Sequence, residues 1–62
     1  MVEPMTKERA YAVLGIDESA DFRELSLAFR RIRERSHPDI NPAGRKEYAE
    51  ALAAFDLLQR EL

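Results

Sequence analysis

His37-Pro38-Asp39 separates two stretches of helical periodicity in the 62-residue chain, and it combines a forced backbone break with two chemically versatile side chains. Proline lacks a backbone N–H, clashes with the preceding helical turn and disfavours the α conformation of the residue before it. The sequence therefore predicts a helix that ends near Ser36 and a loop that presents His37 and Asp39. Such a loop is a compact polar epitope that a partner protein could bind in one orientation.

The stretch before this loop is predicted to form a helix over about residues 20–35, with Ser19 as its N-cap. Asp21 and Glu24 fall in its first turns, where negative charge is favourable at the positive end of the helix dipole. Apolar side chains recur at helical spacing along one side: Phe22, Leu25, Ala28, Phe29 and Ile32. The opposite side carries Arg23, Ser26, Leu27, Arg30, Arg31 and Glu34. This charged side is either a solvated surface or, beside the loop, part of a binding surface.

Two further helices flank this one. Thr6 can cap a first helix over about residues 6–14, and Gly15 can adopt the left-handed conformation that commonly ends a helix. Residues 36–44 form the loop, and an alanine-rich helix is predicted over about 45–61. Its apolar stripe is Tyr48, Ala51, Leu52, Phe55, Leu58 and Leu62.

The spacing of apolar residues predicts that the second and third helices pack as an antiparallel pair. In this arrangement Phe29 and Ile32 meet Phe55 and Leu52, and Leu25 completes the predicted core. Because aromatic side chains bury large areas, all five are expected in the core and not in a ligand cage: Tyr11, Phe22, Phe29, Tyr48 and Phe55.

Size and composition indicate a single small domain. The chain is 45% hydrophobic and 35% charged and contains no cysteine, which is typical of globular domains without disulfides or thiolate metal sites. No apolar run approaches the roughly 20 residues of a membrane span. The first residues carry no secretory signal pattern, so a cytoplasmic location is expected.

Charge is unevenly distributed along the chain. The formal net charge is −2, but residues 21–36 contain five arginines and three acids, a local charge of +2. The overall acidic balance disfavours one possible function, that of a three-helix nucleic-acid binder, because phosphate binding depends on a positive surface. No nucleic-acid or membrane partner is therefore expected.

The residue inventory also disfavours catalysis and metal binding. A metal site usually needs three or four ligands, and the chain has one histidine and no cysteine. Glycine occurs at positions 15 and 44, which leaves no phosphate-binding loop, and no cofactor is expected. A purely structural alternative makes His37 or Asp39 a helix cap that bonds loop N–H groups on the way to Asn41.

The loop and its flanking helices resemble the J domains of DnaJ-type co-chaperones, over roughly residues 8–60. The resemblance rests on His37-Pro38-Asp39 after a basic helix, and on three segments that are similar to the family's three main helices. These segments are Ala10 to Ile16, Glu24 to Ile32 and Tyr48 to Leu58. The resemblance implies a small all-α fold in which the second and third helices form an antiparallel pair joined by the loop. The first helix packs across this pair, and a fourth helix is expected to be absent or truncated.

The same resemblance implies a binding module, itself no enzyme, that docks on a DnaK-type chaperone of the heat-shock protein 70 class and stimulates its ATP hydrolysis. Asp39 would pair with an arginine of the ATPase, His37 would contact the partner or orient the loop, and Arg30 and Arg31 would meet an acidic patch. The expected partner-binding residues are His37, Pro38, Asp39, Arg30, Arg31, Leu27 and Asn41. The module is expected to be a monomer.

The chain also departs from the family pattern. Leu27, Ser26 and Ile40 stand where basic residues are usual, Glu34 places an acid on the same face, and the loop is about three residues shorter than in DnaJ. These departures keep a second interpretation open, in which the chain is a J-like adaptor or competitor that stimulates weakly or not at all.

Overall fold

The computed structural model describes residues 5–37, 39 and 41–61. Within them the chain forms helix α1 (Lys7–Leu14), helix α2 (Phe22–Ser36), a short 3₁₀ helix (Pro42–Gly44) and helix α3 (Arg45–Glu61). Both ends of each α-helix lie within two residues of their predicted positions. The predicted roles of Pro38, Ile40 and Leu62 lie outside the described residues.

Helix α1 has the predicted signals at both ends. The Thr6 hydroxyl accepts a hydrogen bond from the Arg9 N–H at 3.1 Å. Gly15 has φ 71°, and the N–H groups of Gly15 and Ile16 donate to the carbonyls of Ala12 and Tyr11 at 3.2 and 3.0 Å. This pair of bonds is a Schellman motif, and it ends the helix because the left-handed residue turns the chain away from the axis.

Asp21, and not Ser19, is the N-cap of helix α2, so the prediction of Ser19 as the cap is wrong. The Asp21 carboxylate accepts from the Glu24 N–H at 2.9 Å. Ser19 instead donates its backbone N–H, at 2.9 Å, and its hydroxyl to the carboxylate of Asp17. These bonds lower the pKa of Asp17, the hydroxyl bond contributing most. With Ser19 held in this local turn, the helix begins two residues later than predicted.

Helices α2 and α3 pack antiparallel, as predicted. Phe22 contacts Phe55 at a ring-centroid distance of 6.3 Å, and Phe29 stacks on Tyr48 at 6.1 Å. Residues later in α2 thus contact residues earlier in α3. The ion pair between Arg35 and Glu47, at the loop end of both helices, fits the same antiparallel order. Helix α1 packs against both helices and mainly against α3.

Leucines and alanines form the centre of the core. Its fully buried members include Leu25 and Leu58, which are 0% and 1% exposed. The complete cluster is Ala10, Leu14, Leu25, Ala28, Ile32, Ala51, Ala54 and Leu58. Because alanine places only a methyl group between two helix backbones, the three alanines at 0% exposure (Ala10, Ala51 and Ala54) let the helices approach closely.

The aromatic side chains lie at the edge of this core and not at its centre, contrary to the prediction. Phe29 and Phe55 are partly buried and pack against the cluster, while Phe22 is 54% exposed. The prediction that Leu52 is a core residue is also wrong, since it is 48% exposed. Each helical residue is turned by about 100° from the one before, so a helix that directs Ala51 inward directs Leu52 outward.

Two leucines of α3 provide a direct test of this core. Leu58→Ala should cost about 2–5 kcal/mol because it opens a cavity at a fully buried position. Leu52→Ala should cost about 0.5 kcal/mol or less because that side chain is half exposed. Urea unfolding monitored by circular dichroism measures both, and equal losses would contradict the packing described here.

Candidate functional site

The loop begins directly at the end of α2. The His37 N–H still donates to the Arg33 carbonyl at 2.9 Å, but its φ and ψ of −57° and 131° are no longer helical. This is the extended conformation that a following proline favours. The end of the helix at Ser36 is where the sequence predicts it.

His37 is held by the loop and by α3. Its Nδ1 accepts a hydrogen bond from the Asp39 N–H at 3.2 Å, and its carbonyl accepts from the Asn41 N–H at 2.7 Å. Its ring lies 5.4 Å from the Tyr48 ring, measured between centroids. An Nδ1 that accepts a hydrogen bond is unprotonated, so Nε2 is the atom that bears hydrogen in the neutral ring.

Asp39 is presented outward by this arrangement. Its side chain is 91% exposed, compared with 37% for His37, and its Oδ2 lies 3.8 Å from the His37 Nδ1. A carboxylate this exposed is hydrated in the free chain and is available to a cationic group on another molecule. His37 thus organises the loop through its contacts, while the Asp39 side chain faces solvent.

Asn41 has a local structural contact. Its side-chain oxygen accepts from the Ala43 N–H at 3.1 Å, which caps the 3₁₀ helix. This bond is of the Asx type, in which an asparagine side chain replaces a backbone acceptor. Asn41 was predicted to bind a partner, and the structure shows that its side-chain oxygen already has an intramolecular partner.

The two predicted basic residues, Arg30 and Arg31, differ in their contacts. Arg30 pairs with Glu34 at 3.1 Å on the next turn of α2. Arg31 makes no ion pair within residues 5–37, 39 and 41–61, and together with Leu27 it lines a groove of about 600 Å³ between α2 and the end of α1. Leu27 is 44% exposed there. Leu27 and Arg31 thus line one groove, and the loop residues His37, Asp39 and Asn41 are not among the residues that line it.

An ion pair joins α2 to α3 beside the loop. Its members are too far apart in the sequence to be predicted from the spacing of residues within one helix. The Arg35 guanidinium donates through Nε to the Glu47 carboxylate at 3.0 Å, twelve residues further along the chain. This bond holds the pKa of Glu47 below its ordinary value of 4.5, and the nearby Ser36 hydroxyl acts in the same direction. The Ser36 Oγ is buried and forms no hydrogen bond of normal geometry in the described part of the chain, so Arg35 is the dominant cause.

A second contact that the sequence reasoning missed lies at the base of the loop. Gly44 is buried against the end of α2, where an added Cβ would collide with the Ser36 carbonyl oxygen and lie 2.7 Å from its Cα. The sequence places this glycine in the predicted loop of residues 36–44. A glycine is required here because the backbones of Gly44 and Ser36 lie too close together to leave room for a side chain.

Neither a metal site nor a membrane span is found in the part of the chain that the structure describes. Among residues 5–37, 39 and 41–61, no group of three or more possible ligands clusters to hold a metal ion. Across the same residues, no helix combines the length and apolar character needed to cross a bilayer.

Comparison with known proteins agrees with the fold and the loop. The family model of the DnaJ domain matches residues 9–61. The chaperone protein DnaJ of Desulfitobacterium hafniense is 38% identical over 55 residues, which cover 84% of this chain and 15% of the relative. DnaJ of Lactobacillus acidophilus is 36% identical over 56 residues, covering 87% of this chain and 15% of that protein. No solved structure gives a significant match.

The chain therefore belongs to the DnaJ domain family, and the resemblance to a J domain is confirmed. It is an all-α J domain, similar to part of the chaperone proteins named DnaJ. The chain spans about 15% of the length of these two DnaJ relatives.

Acid titration tests the ion pair beside the loop. The folded-state pKa of Glu47 is depressed, so its contribution to stability is present above its ordinary pKa of 4.5 and is lost as pH falls through the lower folded value. The melting temperature of the wild type should thus fall more steeply below this pH than that of Glu47→Gln. Glu18→Gln, which removes an exposed acid from the α1–α2 connector, serves as a control and should follow the wild type. Parallel profiles for the wild type and Glu47→Gln would contradict the contribution of this pair.

Proposed function

We propose that this chain docks on the ATPase domain of a DnaK-type chaperone and stimulates its ATP hydrolysis through the loop at the end of α2. The observation that carries the proposal is the division of roles in that loop. His37 is fixed by Asp39, Asn41 and Tyr48, while the Asp39 carboxylate is exposed. Membership of the DnaJ domain family supports the choice of partner.

Asp39 is the residue that would contact the partner most directly. Its exposed carboxylate is suited to a charge-assisted pair with an arginine, since a guanidinium can donate two parallel bonds to a carboxylate. His37 contributes indirectly, because the bond from the Asp39 N–H to its Nδ1 orients the backbone that bears the carboxylate. Such preorganisation reduces the ordering cost of binding.

The basic side of α2 would assist the encounter with an acidic surface. Arg31 is the better placed of the two predicted arginines, because Arg30 already pairs with Glu34. Exposed charges of this kind raise the association rate and make binding sensitive to salt. Leu27, exposed beside Arg31, would add an apolar contact.

The alternative function is a J-like adaptor or competitor that binds the chaperone without stimulating it. The pairing of Arg30 with Glu34 favours this alternative, because it neutralises one of the positive charges expected to meet the partner. In both cases we propose a binding role and no reaction on the chain's own residues. A monomeric state and a cytoplasmic location stay predictions.

Single-turnover ATP hydrolysis by a purified DnaK-type chaperone, with and without this chain, distinguishes the two functions. An activator raises the hydrolysis rate in a saturable manner. An adaptor binds the chaperone, measured by fluorescence anisotropy of the labelled chain, and leaves the rate unchanged. A chain that neither binds nor stimulates would contradict both functions.

Substitution of the loop residues should separate stimulation from stability. Asp39→Asn and His37→Gln should abolish stimulation, because an unpaired arginine in a desolvated contact costs about 2–5 kcal/mol of binding free energy. The free energy of unfolding should change by about 0–1 kcal/mol, with His37→Gln at the upper end because it also loses its contact with Tyr48.

Asp56→Asn is the matched control, since it removes the same charge from α3, where Asp56 pairs with Arg60. It should retain full stimulation. Loss of both the rate and the folded state in Asp39→Asn would mean that this residue is a structural cap.

The two arginines of α2 should differ in a salt titration. Arg31→Ala should weaken binding and flatten its dependence on ionic strength, because it removes a charge with no ion pair among the described residues. Replacing both members of the neighbouring pair, Arg30→Ala with Glu34→Ala, should have a smaller effect, since that pair carries no net charge. Affinity measured by anisotropy from low to high salt tests this, with Arg60→Ala as the control. Binding that does not respond to salt would exclude a role for the basic side.

A further inference from the structure

The contact between Ser36 and Gly44 closes the base of the loop. Ser36 is the last residue of α2 and is 1% exposed, and Gly44 is the buried residue directly before α3. An added Cβ at Gly44 would lie 2.7 and 2.8 Å from the Cα and carbonyl carbon of Ser36. Real Cβ atoms are essentially never this close to another heavy atom, so a side chain here requires the two backbones to separate.

Two successive backbone hydrogen bonds connect this contact to the loop residues. The Gly44 N–H donates to the Asn41 carbonyl at 2.8 Å, and the Asn41 N–H donates to the His37 carbonyl at 2.7 Å. His37 in turn accepts the Asp39 N–H. A displacement of Gly44 is therefore transmitted through Asn41 to His37 and to the backbone that bears the Asp39 carboxylate.

The surrounding contacts do not reproduce this constraint. The ion pair between Arg35 and Glu47 joins flexible side chains that are 68% and 47% exposed, and it tolerates small shifts of the backbone. The buried Ser36 hydroxyl has no hydrogen-bond partner among the described residues, so it does not stabilise the contact between Ser36 and Gly44. The direct approach of two backbones is the feature that sets the separation of the loop's ends.

We propose that Gly44 is a positioning residue, whose lack of a side chain lets α3 begin against Ser36 and thereby orients His37 and Asp39 for stimulation of the chaperone. This inference rests on the proposed function and deepens it. Docking through Arg31 and stimulation through the loop then depend on different parts of the chain.

Gly44→Ala provides the test, in the full chain with a DnaK-type chaperone. The maximal hydrolysis rate should fall by about tenfold or more, because small misplacements of a positioned group have large effects on rate. The chain concentration at half-maximal stimulation should rise by a smaller factor, since the displaced Asp39 loses part of its contact while Arg31 on α2 is unaffected. An unchanged maximal rate, with a rise of about tenfold or more in that concentration, would overturn the proposal.

Gly15→Ala is the matched control. At φ 71° an alanine is strained, but an added Cβ would meet no atom within 4 Å, and the Gly15 N–H bonds to Ala12 of α1 and not to the loop. It should lower the melting temperature and leave the maximal rate intact. An equal fall in rate for both variants would overturn the proposal, because the rate would then follow stability alone.

The histidine supplies a readout that needs no partner. The chain has one histidine, so its ring protons give an unambiguous pair of NMR signals, and their shifts depend on the nearby Tyr48 ring. Gly44→Ala should shift these signals while the helical circular dichroism is retained, and Gly15→Ala should leave them in place. Unshifted signals in Gly44→Ala would overturn the proposal.

The readouts also separate this inference from the proposed function. A wild-type chain that does not stimulate ATP hydrolysis contradicts the function, and the histidine signals then decide the role of Gly44 by themselves. If Gly44→Ala does not fold, two glycines inserted between Ala43 and Gly44 release the same constraint without a Cβ. That insertion should shift the histidine signals and lower the maximal rate, and wild-type values for both would overturn the proposal.

Discussion

The close approach of three helices through small side chains is the constraint on which the rest of the structure depends. Ala10, Ala51 and Ala54 are fully buried, and their methyl groups let α1 and α3 come near enough for Leu25 and Leu58 to fill the centre. A 62-residue chain buries a modest fraction of its surface, so each fully buried leucine accounts for a large share of its marginal stability. The buried leucines and alanines determine which side of each helix faces the core. This orientation in turn places the aromatic residues at the edge of the core.

The aromatic residues consequently lie along the edge of the helix pair, where they connect the core to the loop. Phe55 contacts both Phe22 and Phe29, Phe29 stacks on Tyr48, and Tyr48 contacts His37. Rings at such distances favour tilted or offset packing, which restricts their orientation more than aliphatic contacts do. The position of His37 therefore depends on the register between α2 and α3 as well as on its own hydrogen bonds.

Local signals in the sequence were sufficient for most helix ends, with the start of α2 as the exception, and non-local contacts explain the other features that it could not predict. Thr6, Gly15 and Pro38 act on adjacent residues, so the limits of α1 and the end of α2 could be predicted. Leu52 could not be placed, because α3 has apolar residues on more than one side and its partner helices select which side is buried. The pair of Arg35 and Glu47, and the space that Gly44 leaves for Ser36, exist only once the loop has closed.

Arg31 lines the groove and the loop residues do not, which bears on how a partner would be bound. In the proposed function, an encounter guided by charge needs an exposed cation but no fixed geometry, and Arg31, which makes no ion pair among the described residues, would provide this beside Leu27. A contact that changes the partner's reaction rate instead needs a group held in one orientation, which the bonds between His37, Asp39 and Asn41 provide. The short loop serves the second requirement well, since fewer residues between Ser36 and Gly44 leave fewer conformations to restrict. If the proposed function holds, departures from the family pattern on the charged side of α2 would affect the strength of docking more directly than the geometry of the loop.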